Sequence, residues 1–237
     1  MKILGVDSSA SAASAAVLAD GRLLSVQFTN TGLTHSQTLL SLIDNALRFA
    51  GLTPADLDLI GVSAGPGSFT GVRIGVAAVK GIAQPLGIRC VGLSTPEVIA
   101  KPFEGSEVTV VSAMDARCRQ VYTARFSCKD GGFARLSPDE ALAVTDVLEQ
   151  LKAVDGPIVA AGDGAELLFR EAQGVLPDLR LAPLGQRYQS AASVALLAAE
   201  RADEAVDAAD LLPCYLRVSQ AERELKKKQN EGKEENQ

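Results

Sequence analysis

A glycine-rich turn between an apolar strand and an apolar helix is the segment of this chain that most suggests chemistry. Residues 65–71 read Gly-Pro-Gly-Ser-Phe-Thr-Gly, and backbone N–H groups at the start of the following helix could hold an anion. A P-loop needs a lysine directly after its last glycine, and none follows Gly71. A dinucleotide-binding turn needs a third glycine where Thr70 stands and an acid about 20 residues later, but the next acid is Glu97. Both spacings fail, so the favoured interpretation is a turn that lets strand and helix pack closely.

Acidic residues end two of the predicted buried strands. Asp7 ends the first strand, and Asp115 ends a strand at the start of the second half of the chain. A carboxylate at such a place can hold a metal–phosphate group between two lobes, or it can close a hairpin as an Asx turn. Residues 162–164 lead into a helix and could contact a base or ribose, or form a simple turn. The candidate nucleotide contacts are therefore Asp7, Ser8, Asp115, Gly162, Asp163 and Gly164, each with a structural alternative.

The histidine and cysteine counts exclude several kinds of site. His35 is the single histidine, so a His-x-x-x-His metal pair cannot form within this chain. The 4 cysteines, at positions 90, 118, 128 and 214, include no C-x-x-C pair, and their scatter suits reduced thiols. We assign no catalytic residue, no metal ligand and no cofactor of the chain's own.

The overall charge argues against a chain that grips nucleic acid by itself. The net charge is −6, and the one lysine cluster, Lys226 to Lys228, lies in a mixed-charge tail. A nucleic-acid binder usually presents a basic face. The N-terminus reaches an acid too early for a signal peptide, and no apolar run approaches the length of a membrane span. We expect a cytoplasmic protein that, if it serves a nucleic acid, relies on another chain for most of the binding.

Alternating strand and helix patterns predict an α/β protein with two similar lobes. Each half begins with a strand, an acid, a loop, a second strand and a turn, and later has a strand, a glycine turn and a helix. We predict a first lobe over residues 1–103 and a second over 104–210, which includes an alanine-rich helix at 190–203. Residues 211–222 are expected to pack back on the first lobe, and 223–237 form a charged tail.

Two helices of the first lobe have more apolar surface than one core requires. The helix over residues 71–84 carries only Arg73, Lys80 and Gln84 as polar side chains, and Gly71 and Gly75 leave a notch that admits another backbone. The helix over 34–50 also has a widened apolar face. Such helices are either core or interface. We predict an interface that comprises Ser36, Leu39, Leu40, Ile43, Phe69, Arg73, Ile74, Val76, Ala77 and Lys80.

The motifs together resemble a known family. They are Asp7-Ser8-Ser9, the block from Gly65 to Gly75, Asp115-Ala116-Arg117 with Val121-Tyr122, and the run from Pro213 to Arg217. In order and spacing they are similar to the TsaB (YeaZ) family of bacterial tRNA threonylcarbamoyladenosine biosynthesis subunits. The resemblance covers about residues 1–222 and implies the two-lobed actin-like ATPase fold, with a ribonuclease H-like mixed sheet in each lobe.

The resemblance also implies a role. Proteins of this family join a larger catalytic relative, TsaD, and a small ATPase, TsaE, in a complex that modifies the adenosine beside the anticodon of tRNAs reading codons that begin with A. The family member is a non-catalytic scaffold that pairs through lobe-one helices, forms a homodimer when alone, and has ADP or ATP at the shared interface. Where the catalytic relatives carry two metal-binding histidines, this chain has Thr95 and Ile99.

Two other functions stay open on the sequence. An actin-like kinase for a small metabolite would use Asp7, Asp115 and residues 162–165 around a magnesium nucleotide, although no side chain stands out as its general base. A metallopeptidase is the least favoured alternative, because the chain has a single histidine.

Overall fold

The computed structural model describes residues 1–217, so the predicted tail and residues 218–222 lie outside the described part. The first mixed sheet has strand order β3-β2-β1-β4-β5. Its strands are β1 (Lys2–Asp7), β2 (Ala13–Ala19), β3 (Arg22–Thr29), β4 (Leu59–Gly65) and β5 (Arg89–Ser94). β1 pairs antiparallel with β2 and parallel with β4, so the end of β1 lies at the centre of the sheet.

The second sheet repeats this plan. Its order is β11-β10-β6-β7-β8, with β9 also paired to β7. Its strands are β6 (Thr109–Asp115), β7 (Gln120–Ser127), β8 (Ala134–Arg135), β9 (Glu140–Ala143), β10 (Ile158–Ala161) and β11 (Leu179–Leu181). In both sheets the first strand pairs antiparallel with the second and parallel with a later one. This shared order shows the internal duplication and confirms the predicted α/β fold with two lobes, each a mixed sheet flanked by helices.

Helices cover both faces of the sheets. They are α1 (His35–Ala50), α2 (Phe69–Ala83), α3 (Thr95–Ala100), α4 (Val144–Leu151), α5 (Ala165–Ala172), α6 (Leu184–Arg187) and α7 (Ala191–Glu200). α1 and α2 share an apolar core with one face of the first sheet. α4 and α5 cover one face of the second sheet in the same way.

The sequence placed the alanine-rich helix in the second lobe, and the structure corrects this. α7 packs on the open face of the first sheet, where Val194 and Leu197 join Ile3 and Leu59 in one core. A Cβ atom at Gly5 or Gly61 would overlap atoms of α7. The first lobe therefore comprises β1–β5, α1, α2 and α7, and the chain crosses between the lobes a second time before α7.

α3 lies between the two lobes. All six of its residues are buried, and it contacts β4 and β5 of one sheet as well as β6 and β7 of the other. The carboxylate of Glu97 on α3 accepts hydrogen bonds from Arg135 beside the second sheet, at 3.2 Å, and from Arg201 after α7. Glu97 thus ties an arginine of each lobe to one buried helix.

Residues 211–217, which we call the strap, end the described chain. Lys80 on α2 donates hydrogen bonds to the carbonyl oxygens of Ala209 and Leu211, at 2.9 and 3.1 Å. The strap then passes over the turn at Gly65 and reaches the second lobe through Arg217. The predicted packing on the first lobe is correct for these residues, but the strap also contacts the second lobe. Across residues 1–217, none of the helices combines the length and the apolar character that crossing a bilayer requires.

The packing of α7 on β1 predicts opposite effects for two glycine substitutions. Gly5→Ala should lower the free energy of unfolding by about 1–3 kcal/mol, because the new methyl group meets the backbone of α7. Gly81→Ala on α2 adds a methyl group with nothing within 4 Å and should raise it by about 0.8–1 kcal/mol. Urea titration of both variants measures the difference. An unchanged Gly5→Ala protein would contradict the packing of α7 on β1.

Candidate functional site

The end of β1 is a buried polar centre and does not face solvent. The Asp7 carboxylate accepts hydrogen bonds from the backbone N–H of Ser9, at 3.0 Å, and from the hydroxyls of Ser9 and Ser63. Asp7 and Ser8 are 0% and 1% exposed. Burial raises the pKa of Asp7 from 3.8 to about 6, and the hydrogen bonds from Ser63 and Ser9 limit the rise. Neither side chain lines the pocket between the lobes, and their predicted contact with a nucleotide stays a prediction.

The glycine-rich turn closes over this centre. A Cβ atom at Gly67 or Gly71 would overlap the carbonyl oxygen of Ser9 or Ser8, and one at Gly75 would lie 2.6 Å from the Ser8 hydroxyl oxygen. The backbone N–H of Ser68 donates to the Ser9 carbonyl at 2.7 Å. The predicted notch on α2 thus holds the chain's own backbone, and the geometry supports a close-packing turn.

A pocket of about 520 Å³ lies between the lobes, in front of that turn. It is lined by residues 9–11 after β1, residues 66–70 at the start of α2, Met114 to Arg117 and Tyr122 of the second sheet, Asp163, and Cys214 to Arg217 of the strap. α2 points its N-terminus toward this pocket, and Ser68 caps the helix by accepting from the Gly71 N–H at 3.2 Å. The lining combines hydroxyls, two carboxylates and two arginines, a set that suits a polar ligand.

The two carboxylates of the pocket lie close to each other. Asp163 accepts a hydrogen bond from the backbone N–H of Asp115, at 3.1 Å. Burial raises the pKa of Asp163, and the nearby negative charge of Asp115 adds to the rise. Arg117 lies 3.5 Å from the Asp115 carboxylate, but its side chain is 86% exposed. An ion pair this exposed contributes little to stability.

The remaining nucleotide candidates serve the backbone. Gly162 and Gly164 are buried, and a Cβ atom at either would press on the backbone of Ala113 or Asp115. The Gly164 N–H donates to the Ala113 carbonyl at 2.9 Å. Of the six candidates from the sequence, Asp115 and Asp163 line the pocket. His35 lies outside its lining, with Nε2 2.7 Å from the carbonyl oxygen of Ala10.

A second candidate site is the solvent side of α1 and α2. On α2 the exposed residues follow one another at helical spacing and are Thr70, Arg73, Ala77, Gly81 and Gln84, with Ile74 half-buried beside them. On α1, Leu40 is 61% exposed and shares its side with Ser36. We call this surface the helical face. The residues at its centre are small and apolar.

Three residues predicted for the interface belong to the core. Leu39, Ile43 and Val76 are at most 4% exposed and pack against the first sheet. A helix that is apolar nearly all round does not show from its period which side meets the sheet. The exposed and half-buried members of the predicted set, Ser36, Leu40, Phe69, Arg73, Ile74, Ala77 and Lys80, remain candidates.

The two charged residues predicted for the interface, Arg73 and Lys80, have partners within the chain. Arg73 packs its guanidinium over the Phe69 ring, 3.9 Å from the centroid, and donates to the Tyr215 hydroxyl at 2.8 Å. Lys80 binds carbonyl groups at the start of the strap. Both residues therefore anchor the strap, in addition to being predicted as interface residues.

The ionic groups around α3 were not predicted from the sequence. Thr95 and Ile99 are buried on this helix, between the lobes. Beside them Lys101, 5% exposed, lies 2.8 Å from Glu104 and 2.7 Å from Glu200. The available signal was the pair of charged residues at 97 and 101, one turn apart in an otherwise apolar stretch. Within residues 1–217, no group of three or more His, Cys, Asp or Glu residues is arranged to hold a metal ion.

Known proteins share both the sequence and the fold. A family model described as TsaD, tRNA N6-adenosine threonylcarbamoyltransferase, matches residues 29–222. The tRNA threonylcarbamoyladenosine biosynthesis protein TsaB of Bacillus subtilis is 31% identical over 223 residues, which cover 94% of this chain and 96% of that protein. The TsaB protein of Escherichia coli is 29% identical over 190 residues, 75% of this chain and 82% of that one. The solved structure of YeaZ from Pseudomonas aeruginosa has a TM-score of 0.72 at 27% identity, covering 90% of this chain and 100% of that chain.

The buried carboxyl of Asp7 predicts a pH-dependent stability. The folded protein holds this proton up to about pH 6, whereas a carboxyl with the ordinary pKa of 3.8 releases it in the unfolded chain. The folded state therefore binds more protons between these values, and its free energy of unfolding should fall by about 3 kcal/mol as the pH rises through them.

The matched variant is Asp7→Asn, which has no proton to lose at this position. Urea titrations of both proteins between pH 4 and pH 7, a window that covers most of the change, should show the wild type losing about 2.4 kcal/mol more than the variant. The raised pKa of Asp163 acts in the same direction but is common to both proteins. Parallel stability curves would show that Asp7 does not carry this dependence.

Proposed function

The chain belongs to the TsaB family of tRNA threonylcarbamoyladenosine biosynthesis proteins, and we propose that it acts there as a non-catalytic subunit that binds a TsaD-like transferase through the helical face. The observation that carries this proposal is the exposed apolar side of α1 and α2, with Leu40 and Ala77 in solvent. Apolar side chains exposed next to one another on a surface mark protein interfaces.

The nature of the partner supports pairing through this face. The family model that matches this chain is that of the transferase itself, so partner and chain are expected to share the α1–α2 layer. Two related subunits can pack equivalent helices about an approximate two-fold axis, as identical subunits do in an isologous dimer. The small residues Ala77 and Gly81 let a second helix approach closely. The same face would pair two copies of the chain when the partner is absent.

The end of β1 supports the non-catalytic part of the proposal. In this chain Asp7 is enclosed by the turn at Gly67 and Gly71, and its carboxylate is bound to serine hydroxyls. Asp7, one of the two strand-end acids that the sequence suggested for chemistry, is thus enclosed and hydrogen-bonded inside the first lobe. Threonylcarbamoyl transfer to the adenosine next to the anticodon, in tRNAs reading codons that begin with A, is assigned to the partner.

The charge of the chain bears on how the proposed complex binds tRNA, and the pocket bears on where it binds a nucleotide. With a net charge of −6, this chain contributes little attraction for tRNA phosphates, so tRNA is expected to bind through the complex. A TsaE-like ATPase completes the proposed assembly. ADP or ATP at the shared interface would lie near the N-terminus of α2, where Ser68, Thr70 and Arg117 line the pocket.

One observation favours a second candidate function. The interlobe pocket has two carboxylates, Asp115 and Asp163, opposite the N-terminus of α2, and this arrangement suits a small-metabolite kinase. Phosphate transfer by the isolated chain would support the kinase and contradict the scaffold.

An exposed leucine offers a direct test of the docking site. Leu40→Glu should weaken binding to the TsaD-like subunit by at least about tenfold, because it puts a charge into an apolar interface. Leu184→Glu is the matched control, since Leu184 is 70% exposed in the second lobe, away from the helical face. Calorimetric titration measures both affinities, and circular dichroism checks that both variants fold. Equal affinities would place the interface elsewhere. Val76 is unsuitable for this test, because a charge there would disrupt the core.

Reconstitution tests the role itself. The chain alone should form no threonylcarbamoyladenosine on tRNA when supplied with threonylcarbamoyl-adenylate. The mixture with TsaD-like and TsaE-like subunits should form it and should lose most activity when this chain is omitted. Mass spectrometry of digested tRNA detects the product. Modification by the chain alone would overturn the non-catalytic assignment.

A further inference from the structure

The strap is held to the first lobe by three kinds of contact. The backbone N–H of Cys214 donates to the Ala64 carbonyl at the end of β4, at 2.7 Å. The Tyr215 ring lies 4.8 Å from the Phe69 ring, centroid to centroid, and the Tyr215 hydroxyl accepts from Arg73. Phe69 and Arg73 both belong to α2, so the strap rests on the helix that carries the helical face.

The other end of the strap is held to the second lobe. Arg217 donates to the carbonyl oxygen of Ala116, at 3.2 Å, and to the side-chain amide oxygen of Gln120. These two residues close the loop between β6 and β7, where the Ala116 N–H donates to the Gln120 carbonyl. Inside the loop Arg117, Cys118 and Arg119 have φ values of 67°, 52° and 55°. Left-handed backbone is costly for these residue types, so the loop depends on the bonds at its base.

The outer side of the strap is apolar and exposed. Leu212 is 71% exposed, and Tyr215 and Leu216 are each 37% exposed. Tyr215 contacts Phe69 and Arg73 of α2, so this part of the strap lies next to the helical face. Residues 214–217 also line the interlobe pocket, so Tyr215 and Leu216 border the pocket as well, whereas Leu212 lies outside its lining.

We propose that the strap is a clasp that holds the two lobes together across the pocket and that a TsaD-like partner stabilises it in the closed position. The first part rests on contacts within this chain, and the second part rests on the proposed function. A partner on the helical face covers the exposed side of the seated strap and so binds the closed state more tightly than the open one. By linkage, the factor by which closure favours partner binding equals the factor by which the bound partner favours closure.

The clasp is tested on the isolated chain by hydrogen–deuterium exchange. Arg217→Gln shortens the side chain and removes its charge, so the amides of residues 211–217 and of 116–120 should exchange about tenfold faster, as expected for the loss of one charge-assisted hydrogen bond. Arg170→Gln is the control, because Arg170 is exposed on α5 of the second lobe. Equal exchange in the two variants would overturn the clasp.

The coupling is tested by adding the TsaD-like subunit. Protection of α1 and α2 peptides in the wild type reports docking, and protection of residues 211–217 reports closure of the strap. The Arg217→Gln variant should bind the partner more weakly than Arg170→Gln, by the ratio of the closed fractions that exchange measures in the two isolated chains. Docking with no change in the strap and equal affinities would overturn the coupling and leave the docking site standing. If no α1 or α2 peptide is protected, the docking proposal fails, while the exchange result on the isolated chain still decides the clasp.

Discussion

The close approach of the α2 turn to the end of β1 is the contact on which the rest of the structure depends. Backbone meets backbone at Gly67 and Gly71, where any side chain would collide with Ser8 or Ser9. This contact encloses Asp7, which leaves its carboxylate no access to solvent and makes serine hydroxyls its partners. In open α/β sheets, ligands usually bind at the carboxyl ends of the central strands. Here that place is filled by protein, and the remaining pocket lies farther out, between the turn and the second lobe.

Buried charges then fix the two lobes to α3. Glu97 is 4% exposed and accepts from Arg135 on one side and Arg201 on the other. Removing a charge from water is expensive, and a buried carboxylate that loses one partner is strongly destabilising. The network therefore penalises any movement that separates Arg135 from Arg201. The strap adds a second connection between the lobes, because it bonds to α2 through Tyr215 and to the loop after β6 through Arg217.

Much of this architecture is predictable from sequence, because strands and helices follow local periodicity. Lobe order, the glycine turn and α2 all follow from such patterns. The position of α7 does not, since an alanine-rich helix is apolar on most sides and does not indicate which sheet it meets. The informative residues were distant from it: Gly5 and Gly61 lack side chains where α7 crosses the strands. Short strands such as β8, with two residues, are below the length at which alternation can be recognised.

The candidate site was less predictable than the fold for a related reason. Asp7 and Asp115 end equivalent strands of the two sheets and look alike in sequence. Their environments differ because the loop after β1 is covered by α2, whereas Asp115 borders the pocket with its side chain 38% exposed. The equivalent turn in the second lobe, at Gly162 and Gly164, packs on the backbone of β6. It therefore leaves the Asp115 side chain uncovered. Whether a strand-end acid is packed or available is thus decided by the neighbouring turn, across a contact between residues about 60 positions apart in the first lobe. A pattern confined to the strand itself cannot contain that information. The sequence alone therefore does not distinguish the buried Asp7 from Asp115, which borders the pocket.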